Sequence, residues 1–200
     1  MTVRGPLEQA RVLAILRRPD IADVVLDVLE RLHEAGVRAV EVTLDQPGAP
    51  AALRRLVEDS PPDTVVGAGT VLAAAQVDMV AEAGASFAVC PHLDTALIER
   101  GVARGLPVIP GVATATEIVT AMAAGAEVLK LFPAGALGIP YLKALLGPFR
   151  DAAFVPTGGI GIDDVPAWID AGAICVGLGG ALVGSGGVDP RIGEVLRSVA

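Results

Sequence analysis

The sequence predicts an α/β fold, a minimal (β/α)8 TIM barrel forming one domain over residues 1–200, and three observations carry that prediction. Four segments echo one another: "EAGVRAVEV" from Glu34, "EAGASFAVC" from Glu82, "AAGAEVLKL" from Ala123 and "DAGAICVGL" from Asp170. Each has a helical approach, a glycine where a helix C-terminus needs a left-handed residue, and then a short apolar, β-branched run. The capping glycines Gly36, Gly84, Gly125 and Gly172 stand 48, 41 and 47 residues apart, about twice the roughly 20 to 25 residues of one compact strand-plus-helix unit. One further unit should therefore lie in each gap, and strand-like runs are found there: "TVVGAG" at 64, "LPVIPG" at 106 and "AFVPTGG" at 153.

Taken in order, the strands start near Val12, Ala39, Thr64, Phe87, Pro107, Glu127, Phe154 and Ile174. The first is "RVLAILR", which precedes the first echo, and each strand is followed by a helix-compatible stretch. The fifth helix announces its start with a capping box, Thr114-x-x-Glu117. Strands that are apolar almost throughout belong to a parallel sheet covered by helices. Eight units in 200 residues favour a barrel over a doubly wound sheet, and no Gly-x-Gly-x-x-Gly follows the first strand to suggest dinucleotide binding.

Composition narrows the function. A chain that is 52% apolar can bury a large core, and a net charge of −8 leaves no basic stripe for nucleic acid. Ala171 to Val188 is uncharged for 18 residues, but its seven glycines mark a strand and a backbone-rich turn, not a membrane span. The apolar stretch "VLAIL" is too short for an export signal and runs into Arg17-Arg18-Pro19, so the cytoplasm is expected. Cys90 and Cys175 stand alone in apolar segments and read as buried thiols in a reducing compartment.

The chemistry is concentrated at two strand positions. A lysine in the apolar run "EVLKLFPA" is costly to bury unless it is paired or neutralised. Alternation puts Val128, Lys130 and Phe132 on one face and Leu129 and Leu131 on the other, so Lys130 points inward if the leucines meet the helices. In "AVEVTL" the same rule groups Ala39, Glu41 and Thr43 on the inner face. Such a pair is either a structural ion pair or a nucleophilic amine beside a proton-shuttling carboxylate. Its place at the C-terminal end of barrel strands favours the second.

Other strand ends offer an anion site. "PTGGI" supplies Thr157, Gly158 and Gly159 ahead of a helix N-terminus, and Gly179-Gly180 ends the eighth strand in the same manner. Arg17 closes "AILR" and could grip a carboxylate with its planar fork, while Arg18 reads as a surface residue. The remaining residues have plainer roles. His33 sits in the last turn of a helix, His92 lies beside the site, Asp163 caps the helix that begins near Pro166, and Trp168 packs a helix face or a subunit contact. Met79, Met122 and Tyr141 are filler or surface. Two histidines without a carboxylate cluster disfavour a metal-dependent reaction.

Seven motifs in order, "EVTL" with Glu41, "GAGTVL" from Gly67, "PH" at Pro91 and His92, "PGVATATE" from Pro110, "LKLFPA", "KALLGPF" from Lys143 and "FVPTGGI" from Phe154, run over nearly the whole chain. In them the chain resembles the family of 2-keto-3-deoxy-6-phosphogluconate (KDPG) and 4-hydroxy-2-oxoglutarate (KHG) aldolases. The resemblance implies a class I, metal- and cofactor-free aldolase on a (β/α)8 barrel. It also implies a homotrimer acting on a keto-acid phosphate, cleaving KDPG to pyruvate and glyceraldehyde 3-phosphate. Carried over by motif, Lys130 forms the imine and Glu41 is the general acid/base. Arg17 and Thr70 bind the pyruvate carboxylate, Pro91 and Phe132 wall the pyruvyl group, and Thr157, Gly158, Gly159 and Gly180 surround the phosphate.

Two departures qualify the likeness. Asp45 stands where many relatives place an arginine, with Arg17 as its substitute, and Gly179-Gly180 replaces the Gly-Ser that relatives often carry. Three functions are therefore weighed: the KDPG aldolase, a relative acting on the galactonate epimer, on KHG or on an unphosphorylated keto-acid, and a non-catalytic phosphate-binding barrel with a structural lysine.

Overall fold

A computed structural model describes residues 2–18 and 20–199. It begins with an element the sequence reading lacked, a helix α1 over Arg4–Ala10, before β1 at Val12–Leu16. Strand and helix then alternate: α2 (Ile21–Glu34), β2 (Ala39–Thr43), α3 (Ala49–Asp59), β3 (Val65–Gly69), α4 (Ala74–Glu82), β4 (Phe87–Val89) and α5 (Thr95–Arg104). The fifth expected strand is divided into β5 (Val108–Ile109) and β6 (Gly111–Val112), because Pro110 between them has no N–H for the ladder. There follow α6 (Ala115–Ala123), β7 (Val128–Leu131), α7 (Ala134–Leu137), α8 (Ile139–Leu146) and β8 (Ala153–Pro156). A 3-10 turn at Ile162–Asp164, α9 (Val165–Asp170), β9 (Val176–Leu178), a hairpin of β10 (Val183–Gly184) and β11 (Gly187–Val188), and α10 (Ile192–Ser198) complete the chain.

The parallel strands form a half-barrel. One six-stranded sheet has the order β5-β4-β3-β2-β1-β9, and a three-stranded sheet has the order β6-β7-β8. A single parallel bridge, Thr157 to Gly177, joins the strand segments of β8 and β9. All four glycines that the repeat assigned to helix ends take a left-handed conformation, with φ of 92°, 79°, 105° and 106° at Gly36, Gly84, Gly125 and Gly172. The capping box is also formed, now at α6: Glu117 Oε2 accepts from the Thr114 backbone N–H at 2.8 Å, and Thr114 Oγ1 accepts from the Glu117 N–H at 3.3 Å.

Strand alternation sorts the buried residues into two cores. Leu16, Val40, Val42, Leu129 and Leu131 face the helices, whereas Leu13, Ile15, Ala39, Phe87, Val89, Val128 and Val155 pack together on the concave side. Val3, Leu7 and Ala10 join that inner cluster, so α1 packs onto it at the strands' N-terminal ends. Cys90 and Cys175 are buried, unpaired thiols, as expected, and burial pushes the Cys90 thiol up to about 12. Among the described residues no helix is long and apolar enough to cross a membrane.

Candidate active site

The inner face of β2 and that of β7 each carry one ionisable residue, and both are buried: Glu41 is 1% exposed and Lys130 8%. Lys130 stands in register with Gly111 on one side and Val155 on the other, so the strand on one flank offers no side chain to crowd it. Its ammonium carbon chain brings Nζ to 4.9 Å from the centre of the Phe132 ring. Among the described residues Lys130 enters no salt bridge, and Glu41 Oε2 has no hydrogen-bond partner. The two groups nonetheless act on each other electrostatically. Burial drives the Lys130 pKa down, against the attraction of Glu41, and burial drives the Glu41 pKa up, against the charges of Lys130 and Arg17. The lysine is thereby moved toward a neutral amine and the carboxyl toward an acid that can hold a proton. A structural ion pair would instead be closed and would hold both groups charged.

Above this pair the strand ends gather the expected carboxylate-binding groups. Arg17 follows β1 and is 56% exposed along its side chain; its Nη2 donates to Thr70 Oγ1 at 2.8 Å. Thr70 follows β3 with φ of 57°, a left-handed conformation that a β-branched residue adopts only under constraint. Asp45 lies beyond Thr43, and its Oδ2 is 3.5 Å from Arg17 Nε. The acidic residue at this position thus partly offsets the one cation that the sequence put in its stead. Pro91 and Phe132 line an open depression together with His92, Gly111, Val112 and Glu117, so the two expected wall residues share one face of the mouth.

The model of the "KDPG and KHG aldolase" family matches residues 3–191 of this chain. The chain belongs to this family. A 2-dehydro-3-deoxy-6-phosphogalactonate aldolase of Escherichia coli K12 is 39% identical over 177 residues, covering 87% of this chain and 85% of its own. A 2-dehydro-3-deoxy-phosphogluconate aldolase of Zymomonas mobilis is 38% identical over 170 residues, covering 84% and 80%. Among solved structures, a KDPG aldolase from Legionella pneumophila, with pyruvate captured at low pH as a covalent carbinolamine intermediate, superposes with a TM-score of 0.83. It shares 32% identity and covers all of this chain and 98% of its own. As a KDPG/KHG family aldolase the protein is a lyase.

In this KDPG/KHG family chain the expected phosphate residues divide into two sets. Thr157 is buried and belongs to the inner layer: its Oγ1 donates to Val155 O at 3.2 Å, and a side chain on Gly177 would collide with it. Gly158 and Gly159 lie at the mouth with φ of 91° and 74°. The carbonyls of Thr157 and Gly158 accept from the N–H groups of Ala134 and Gly135 at 2.8 and 2.7 Å, which fixes the turn. The N–H groups of Gly159 and Gly180 have no backbone partner among the described residues, whereas that of Gly158 lies in the parallel bridge between Thr157 and Gly177. Gly180 is exposed in the turn between β9 and β10, where the Gly179 carbonyl accepts from Leu182 and Val183 at 2.8 and 3.0 Å.

Three sequence expectations need correction. Arg18 is not a surface residue: its side chain is 17% exposed, it binds both oxygens of Asp20 at 2.9 and 2.8 Å, and its Nη1 donates to Gly184 O at 2.7 Å. Asp164, not Asp163, accepts from the Gly161 N–H ahead of α9, because a 3-10 turn intervenes, and Asp163 pairs with Arg191 at 2.8 Å. Tyr141 is more than filler, since its hydroxyl donates to the Ala113 carbonyl at 2.6 Å and ties α8 to the loop before α6. Trp168 packs into the helix-facing core, one of the two roles expected of it. His33 is half-buried at the end of α2, 3.8 Å from Asp63, and His92 is exposed at the mouth. Among the described residues no three His, Cys, Asp or Glu side chains meet in a way that could hold a metal ion.

Proposed function

We propose that the chain is a class I pyruvate aldolase that cleaves KDPG to pyruvate and glyceraldehyde 3-phosphate through a Schiff base on Lys130. The observation that carries this reading is a buried lysine that has no ion-pair partner among the described residues, on the same concave surface as a buried carboxyl whose Oε2 has no hydrogen-bond partner among them. Neutral Lys130 attacks the substrate keto carbon to give a carbinolamine, and loss of water leaves an iminium ion. Glu41 takes the proton of the C4 hydroxyl. The C3–C4 bond then breaks, its electron pair forming the enamine as C4 becomes the aldehyde carbon. Glu41 returns the proton to C3, and water hydrolyses the resulting pyruvyl iminium, restoring the lysine. In this scheme Arg17 and Thr70 hold the carboxylate, Pro91 and Phe132 bound the pyruvyl group, and Thr157 and Gly158 with the N–H groups of Gly159 and Gly180 face the phosphorylated end.

The reading includes one domain over residues 1–200 and a closed (β/α)8 barrel, supported by the Thr157–Gly177 bridge on one side and by chain continuity from β5 to β6 on the other. It also includes a cytoplasmic homotrimer. Exposed Val102, Val119 and Met122 on α5 and α6 supply an apolar face for a subunit contact, and two free thiols suit a reducing compartment. Sedimentation velocity tests the trimer.

A second reading, cleavage of the galactonate epimer, is favoured by a phosphogalactonate relative as similar as the phosphogluconate one. Pyruvate release from KDPG, its C4 epimer, KHG and the dephosphorylated compound separates the readings, with KDPG expected to be fastest. Borohydride in the presence of pyruvate should leave a reduced adduct on the peptide containing "EVLKLF"; an adduct on exposed Lys143 alone would overturn the mechanism.

A further inference from the structure

We propose that Gly69 is the positioning residue for Glu41, a notch in β3 that seats the carboxylate where it can exchange protons with the carbon chain held on Lys130. The proposal rests on the reading of Glu41 as acid/base.

The backbone does not ask for glycine here. Gly69 is the last residue of β3, paired in register with Thr43 of β2, and its φ is not in the left-handed range where glycine is needed. An alanine would adopt this conformation without strain. What it would lack is room. A methyl group on Gly69 would land on Glu41 Oε1, would stand 2.8 Å from the Glu41 carboxyl carbon, and would come to 3.3 Å from Thr43 Cγ2. The carboxyl group therefore occupies the volume that every other residue type would fill at this position.

The neighbouring glycine in "GAGT" shows that this is not a generic packing demand. Gly67, two residues earlier on the same inner face, leaves room for the Phe87 ring, so its role lies in the apolar core. The two inward glycines of one strand accommodate different things: the lower an aromatic ring, the upper an ionisable group. Glu41 has little freedom to retreat, since it is 1% exposed. Displacing the group by about 1 Å is enough to cost on the order of 100-fold in a proton transfer that depends on position. Lys130 lies on β7 and does not share this contact, so imine formation should be spared.

The step that isolates Glu41 is exchange of the pyruvate methyl protons with deuterated water. Glu41 removes a methyl proton from the pyruvyl iminium, the C–H electron pair forms the enamine double bond as the iminium nitrogen becomes neutral, and a deuteron returns by the reverse path. The test is a double-mutant cycle of Gly69→Ala and Glu41→Asp, whose shorter side chain withdraws the carboxylate from the notch. Gly69→Ala alone should slow methyl exchange by tenfold or more, with borohydride trapping of pyruvate on Lys130 kept within twofold. Added to Glu41→Asp, the same substitution should change exchange by less than twofold.

Equal losses in the two backgrounds, or trapping and exchange falling together in Gly69→Ala, would overturn the proposal. If Gly69→Ala is recovered unfolded, a folded Gly69→Ala/Glu41→Asp protein supports the steric conflict with the carboxylate, and an unfolded one overturns it. Wild-type protein that traps no pyruvate would remove the aldolase reading and this proposal with it; normal trapping in the wild type confines any failure to Gly69.

Discussion

The two ends of the candidate cleft are built by opposite means. The proposed keto-acid end is made of side chains: Lys130 and Glu41 buried on β7 and β2, with Arg17 joined to Thr70 above them. Apart from the buried Thr157, the proposed phosphate end is made of backbone, in the turns at Gly158-Gly159 and Gly180, and the arginine beside it, Arg18, is already committed to Asp20 and Gly184. A side-chain site concentrates its function in few atoms, so single substitutions there should be decisive. A backbone site spreads its function over several N–H groups that no side-chain substitution deletes. The keto-acid end should therefore be brittle and the phosphate end tolerant.

The largest effect is expected at Lys130. Lys130→Met removes the imine-forming amine of the scheme, so turnover and the borohydride adduct should vanish together. The fold should survive, because burial disfavours the charged amine and a methionine of similar length avoids that cost. Residual turnover at the wild-type rate would show that the brittle end lies elsewhere. Glu41→Gln comes next: turnover should fall by about 10² to 10⁴ while pyruvate is still trapped. The pH dependence has a definite sign. Lys130 titrates below the ordinary lysine value of 10.5 because it is buried, and Glu41 partly restores it. Without that charge the Lys130 pKa falls further, so the rise of trapping rate with pH should move to lower pH in Glu41→Gln. An unmoved profile would mean that the two groups do not share a field.

Which residues face inward was largely legible in the sequence, and the ties between distant segments were not. Strict alternation in "AVEVT" and "EVLKL" decides which side chains face inward, and the two cores divide along that line. Capping glycines are equally local, since a left-handed residue after a helix announces itself. Features that depend on pairing between distant segments were missed. The Gly69 notch follows from the register of β2 with β3, which sets the glycine across from Thr43 and beside Glu41. Arg18 becomes a tie only because the hairpin after β9 folds back to within 2.7 Å of it. Helix α1 has Gly5 and Pro6 in its first turn and little propensity of its own; docking of Leu7 and Ala10 onto the inner core provides its burial.

Arg17 tests the middle of the range. Arg17→Ala removes the guanidinium expected to hold the carboxylate, a charge-assisted contact worth about 1.5 to 3 kcal/mol. The Michaelis constant for pyruvate in the aldol direction should rise roughly 10- to 150-fold, with a smaller change in turnover. Its ion pair with Asp45 does not enter this figure, because the two side chains are 56% and 38% exposed and such pairs contribute little. Unchanged kinetics would remove Arg17 from the site and leave Thr70 as the only polar group expected at the carboxylate.

The smallest effect, and the one that most sharpens the contrast, belongs to Arg18. It touches no proposed reacting atom. Its guanidinium bridges Asp20, just before α2, to the Gly184 carbonyl, on the far side of the turn that carries Gly180. If the phosphate is held by backbone N–H groups, its binding depends on how firmly that turn is held, and Arg18→Met loosens it from one side only. The turn keeps its own hydrogen bonds from Leu182 and Val183 to Gly179, so the loss should be about 0.5 to 1 kcal/mol, or roughly two- to fivefold in affinity. That loss should fall on glyceraldehyde 3-phosphate as acceptor and spare unphosphorylated glyceraldehyde and the methyl exchange of pyruvate. An equal loss with both acceptors would mean that Arg18 supports the mouth as a whole, and that the two ends of the cleft are not independently built.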